Sequence, residues 1–111
     1  MWIFSQDGFY SIVQKGEAFH VRARREQDLV NVGLTATMSY AGSDYPWRAI
    51  LPNRSDLLML MQKLGNSVDY PNFKAHVSSR VDQKDRIPAY HQIWAIMGKE
   101  QESGSSAFSV E

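Results

Sequence analysis

The segment "AFHVRAR" (18–24) carries the clearest sign of chemistry in this chain: His20, Arg22 and Arg24 alternate with Phe19, Val21 and Ala23, and Arg25 follows directly. Period-two spacing belongs to a strand, so the apolar set shares one face and the basic heads form a line on the other. Such a line can follow a phosphate backbone. It also suits a solvated face whose charges discourage edge-to-edge pairing. Arg48, in "DYPWRAI", is placed to join the same face from another strand, and Tyr10 to add an aromatic ring.

A second cluster lies in "VDYPNFKA" (68–75), where Asp69, Tyr70, Asn72 and Lys74 gather at a predicted helix start. Exposed backbone N–H groups at such a start favour an anion. Asp-Tyr-Pro also occurs at 44–46, but the sequences after it, "WRAILPNRS" and "NFKAHVSSR", share no pattern, so the two copies are not a repeat. Pro46 suits the opening of a strand and Pro71 the first turn of a helix. If the copies meet in space, Tyr45 and Tyr70 form a rim that stacks on a planar ligand. The candidate binding residues are Arg22, Arg24, Arg48, Asp69, Tyr70, Asn72 and Lys74.

Enzyme chemistry has little support. His20, His76 and His91 are not spaced at i+3 or i+4, so they predict no metal site. There is no glycine-rich phosphate loop and no G-x-S-x-G elbow. With no cysteine, thiolate metal sites, disulfides and cysteine nucleophiles are excluded. No catalytic residue and no cofactor is assigned. The weakest of three functional readings is an enzyme built on Asp69, Tyr70 and His91.

The elements that position these residues read as strands first and helices later. "WIFS" and "FYSIVQ" flank Asp7-Gly8, a hairpin signal, and "QKGE" turns the chain into the His20 strand. A short helix is predicted over 25–33, closed by Gly33. Residues 34–43 allow a strand with Tyr40 and then a loop from Ala41. "PWRAILP" predicts a fourth strand with Trp47, Ala49 and Leu51 on one face. Helices are predicted over 55–65 with Ser55 as N-cap, over 71–81, and over 84–99 with Ile87, Tyr90, Trp94 and Met97 on one face. The fold class expected is α+β: an antiparallel sheet of about four strands, an N-terminal meander, with helices packed on one face. A crossover between the third and fourth strands would make it a ferredoxin-like variant. One domain is expected over 1–99, with a flexible polar tail over 100–111 whose "AFSV" can add to a partner's strand edge.

Lys plus Arg equals Asp plus Glu, 12 each, so any attraction to nucleic acid has to come from a local patch. The N-terminal stretch lacks a basic region and an unbroken apolar run, and no run approaches the roughly 20 residues of a membrane span. A cytoplasmic protein without membrane contact is expected.

"MWIFSQDGFYSIVQ", "HVRAR", "DYPWRA", "DYPNFK" and "YHQIWAIM" together resemble a family of small bacterial and phage-associated proteins over residues 1–98, with "DYPNFK" the most specific element. That family carries no catalytic assignment, so no residue role transfers. The resemblance implies a compact cytoplasmic protein carried by mobile elements. The leading expectation is a non-enzymatic protein that binds another protein, as an inhibitor or accessory factor. The rival is a nucleotide or nucleic-acid binder using the basic strand face and the "DYPNFK" region.

Overall fold

The computed structural model describes residues 1–39 and 42–102, and continues the last helix as backbone to Val110. The chain divides into two compact units, Met1–Phe73 and Lys74–Glu111.

The first unit is α+β. Five strands, β1 (Trp2–Phe4), β2 (Phe9–Lys15), β3 (Ala18–Ala23), β4 (Thr37–Met38) and β5 (Trp47–Leu51), form one antiparallel sheet in the order β1-β2-β3-β5-β4. The fifth strand, β4, is only two residues long and falls in the stretch that allowed a strand by composition; Tyr40 and Ala41 lie outside the described residues. A ferredoxin-like crossover is not formed. β3 and β5 are direct antiparallel neighbours, so helix α1 (Glu26–Asn31) spans an antiparallel connection rather than a parallel one.

Alternation decides what each face of the sheet carries. Tyr10, Ile12, Phe19, Val21, Ala23, Ala49 and Leu51 point to one side and build the core with Leu29 and Val32 beside α1 and with Leu57, Leu60 and Leu64 of α2 (Arg54–Asn66). Tyr10 therefore belongs to the core, not to the basic face: it sits opposite Ile3, and its hydroxyl donates to the Asp28 backbone oxygen at 2.6 Å. The N-cap of α2 is Asn53 rather than Ser55, because Asn53 Oδ1 accepts from the Asp56 N–H at 3.0 Å.

Around the hairpin between β1 and β2 a polar clamp forms. Ser5 Oγ donates to the Gly8 carbonyl at 3.0 Å and accepts from the Asp7 N–H at 3.1 Å. From α1, fully buried Asp28 accepts from the Phe9 N–H at 3.4 Å and Asn31 Nδ2 donates to the Asp7 carbonyl at 2.8 Å. Beyond α2, Ser67 accepts from Gln6 Nε2, and the Tyr70 hydroxyl donates to Gln6 Oε1 at 2.7 Å. The short edge strand β1 is thus fixed from two directions.

The second unit is helical: the rest of α3 (Phe73–Ser78), a 3-10 turn at Lys84–Arg86, and α4 (Ile87–Val110). Val77, Gln83, Arg86 and Tyr90 are buried, and Arg80 pairs with Asp82 at 3.5 Å. The apolar face expected of α4 is only half realised, since Trp94 and Met97 are exposed while Tyr90 is buried. Periodicity shows which residues share a face, not whether anything covers it. Likewise α3 is six residues long, and Val81, expected in its apolar row, is exposed beyond its end. Residues 100–110, expected as a polar tail, continue α4, so "AFSV" is helical rather than extended; the side chains of 103–110 lie outside the described residues, and Glu100, Gln101 and Glu102 are exposed.

Candidate functional site: the outer face of the sheet

With α1 and α2 on the core side, the outer face of the sheet carries Trp2, Phe4, Phe9, Ser11, Val13, Lys15, His20, Arg22, Arg48 and Ile50. No strand contains an Asp or Glu. Every charged strand residue (Lys15, Arg22 and Arg48) lies on this one face, with His20 among them.

The register turns these residues into rows. Trp2 is opposite Ser11, Ser11 opposite Arg22, Arg22 opposite Arg48, and Arg48 opposite Thr37. One row thus crosses all five strands, with an indole towards one edge and two guanidinium groups in the middle. A parallel row sets Val13, His20 and Ile50 side by side. Like charges directly opposite on neighbouring strands are unfavourable. Among the described residues no carboxylate pairs with Arg22, Arg24 or Arg48.

What holds the arginines is a ring. Tyr45 is buried, and its face lies 4.7 Å from the Arg22 guanidinium carbon and 5.0 Å from that of Arg24. Arg22 Nη2 also donates to Ser11 Oγ at 2.7 Å. These contacts leave groups over: the Nε atoms of Arg22 and Arg48 and Nδ1 of His20 are buried without a hydrogen-bond partner among the described residues. Burial, and then the charges of Lys15, Arg48 and Arg22, lower the His20 imidazole below its usual 6.5.

Beside the arginines is an aromatic cluster. Phe4 and Phe9 stack with centroids 4.7 Å apart and planes 5° from parallel. Trp2 meets both edge-to-face, at 6.4 Å and 6.3 Å, yet remains 67% exposed. Phe9 also touches Tyr45 at 6.3 Å, which joins the aromatic and cationic halves. Sequence reasoning missed Trp2, Phe4 and Phe9. The signal was present, since Trp2 and Phe4 alternate with Ile3, but which alternating set faced out depended on pairing with β2.

The residues proposed from "DYPNFK" are placed elsewhere. Tyr70 is committed to Gln6 in the β1–β2 turn, and burial, with Asp7 and Asp69 adding, holds its phenol above the usual 10.0. Asp69 and Asn72 are exposed. In the second unit, Lys74 Nζ lies 2.8 Å from His91 Nδ1 and 4.9 Å from the Trp94 ring centre, on which His91 also stacks. A six-residue α3 is too short to offer the helix-start anion site that its sequence suggested. Tyr45, being covered by two arginines, has no free ring face for a planar ligand on that side.

Fold and site together define an α+β protein with a cationic and aromatic open sheet face. No family model, curated protein or solved structure matches this chain. Among the described residues no helix is long and apolar enough to cross a membrane.

Proposed function

We propose that this is a nucleic-acid-binding protein that engages the phosphate backbone with the outer face of its sheet. The observation that carries the reading is the Arg22–Arg48 cross-strand pair, with Arg24 beside it, on a face where no strand supplies a carboxylate. A fold that sets like charges opposite each other meets a cost that a polyanion removes. Net charge is zero over the whole chain, so the attraction is local to this face.

Fluorescence anisotropy with a labelled oligonucleotide tests this. Neutralising phosphates with three arginines gives a log–log salt slope of about −2 for a single strand, from about 0.7 per contact. Arg22→Ala/Arg24→Ala is expected to flatten that slope to about −0.7, the value for one remaining contact. Absence of binding at low salt, or a slope near zero in the wild type, overturns the reading.

A protein partner is the second reading, favoured by Trp94, Ile96 and Met97, all exposed on α4. It predicts that Trp94→Ala/Met97→Ala abolishes partner capture and leaves oligonucleotide binding untouched.

A further inference from the structure

We infer that the occupant of the outer sheet face is a single strand, one of whose bases stacks on Trp2 while its phosphates lie over Arg22 and Arg48; this rests on the nucleic-acid reading above. The register fixes the layout. Trp2, Ser11, Arg22 and Arg48 stand in one row on consecutive strands of the sheet. At about 4.8 Å between strands, the backbone under Trp2 lies roughly 14 Å from that under Arg48. A strand of nucleic acid crossing the sheet along this row meets an aromatic ring at one end and two guanidinium groups at the other.

Chemistry separates single from double strands here. A duplex presents phosphates outward and keeps its base faces stacked inside, so it can use the arginines but not the indole. An unpaired base has a free π-face, and stacking on an aromatic side chain is tolerant of base identity. Trp2 is the ring fitted to this. It is the most exposed aromatic of its cluster, and the stacked Phe4–Phe9 pair braces it edge-to-face from the neighbouring positions. Tyr45 and Phe9 lie lower in the same cluster, and Tyr45 is covered by Arg22 and Arg24, so they support rather than receive.

The layout also separates the roles of the two groups in measurable terms. Removing a stacking ring lowers affinity without changing the number of ions released, whereas removing an arginine changes both. Nothing on the row selects ribose over deoxyribose, so DNA and RNA strands are both included.

The test uses the full chain with labelled oligothymidylate, oligouridylate and a mixed-sequence duplex, each about 12 nucleotides long, in the range of single-strand site sizes. Trp2→Ala is expected to weaken both single strands about tenfold, within the range measured for loss of one stacked base, with the salt slope unchanged. Trp2→Phe is expected to retain most of the affinity, and the duplex to bind more weakly than either strand and be indifferent to Trp2. If Trp2→Ala binds as the wild type does while Arg22→Ala/Arg24→Ala is impaired, the stacking inference is wrong and the phosphate reading stands. Equal binding of duplex and single strands overturns it in the same way. If no nucleic acid binds, or the arginine variant binds unchanged, both fall. Trp2 is exposed, and circular dichroism of each variant separates lost binding from lost fold.

Discussion

Replacing Arg48 by methionine should make the protein more stable, because Arg48 stands opposite a like charge and keeps a buried donor without a partner among the described residues. The methionine keeps the unbranched apolar stem and removes the charge. Two terms follow from the structure. Arg48 stands directly opposite Arg22, and like charges so placed cost about 0.2–1 kcal/mol. Its Nε–H is buried without a partner among the described residues. The penalty for such a donor is about 1–3 kcal/mol when fully desolvated; with the side chain half-buried we take about 0.5 kcal/mol. The expected gain is about 1 kcal/mol at low salt, which corresponds to roughly 4–8 °C in melting temperature for a unit of this size. A double-mutant cycle with Arg22→Met isolates the charge part. Urea denaturation at about 0.01 M and about 1 M salt spans screening lengths of about 30 Å and 3 Å. Removing Arg48 should stabilise by about 0.5 kcal/mol more when Arg22 is present than when it is absent, and that difference should vanish in high salt. A coupling of zero at low salt, or one indifferent to salt, would refute the claim that the two arginines oppose each other in the folded state.

Three further outcomes are expected. Gly8→Ala should lose about 2–4 kcal/mol in urea denaturation, because a Cβ there would lie 2.5 Å from Asp28 Cγ at a φ of +156°; a loss under about 0.5 kcal/mol would mean that the clamp yields. Tyr70→Phe should cost about 1 kcal/mol at neutral pH through the lost donation to Gln6. The folded phenol titrates above 10.0, so the unfolded chain ionises first and wild-type stability falls as pH rises from there through the folded value; the variant's alkaline limb should be shallower in a pH series of melting temperatures. His20 titrates below 6.5 when folded, so stability present above that pH is lost as pH falls towards the folded value. Phosphate over the face restores the proton's favour, so oligonucleotide binding should tighten on acidification below about pH 6.5, and His20→Gln should flatten both responses.

Much of the sheet was legible because its information is local. Alternation in "AFHVRAR" and in "WRAIL" assigned both faces of β3 and β5 correctly, and Arg48 does share a face with Arg22. Asp7-Gly8 marked the first hairpin for the same reason. What was not legible depends on pairing between distant segments. Tyr10 could have faced either way until its pairing with Ile3 and its hydrogen bond to Asp28 fixed it in the core. β4 has two residues, too few to carry a period. Ser55 and Asn53 are both competent caps, and only the geometry of the first turn distinguishes them. The site itself was half visible: the arginines lie on one strand and its neighbour, whereas Trp2 joins them only through two successive strand pairings.

The two Asp-Tyr-Pro copies acquire a common logic at this level, since each tyrosine is held by contacts of its own. Tyr45 lies beneath Arg22 and Arg24 and holds guanidinium groups that repulsion would otherwise spread. Tyr70 grips Gln6 in the turn that carries β1, and so steadies the edge strand on which Trp2 stands. Each tyrosine therefore positions one half of the outer face. Substituting Tyr45 should blur the arginines and weaken the phosphate contacts, while substituting Tyr70 should loosen Trp2 and weaken stacking. The same two assays that separate charge from stacking thus separate the two tyrosines, through salt slope in one case and single-strand preference in the other.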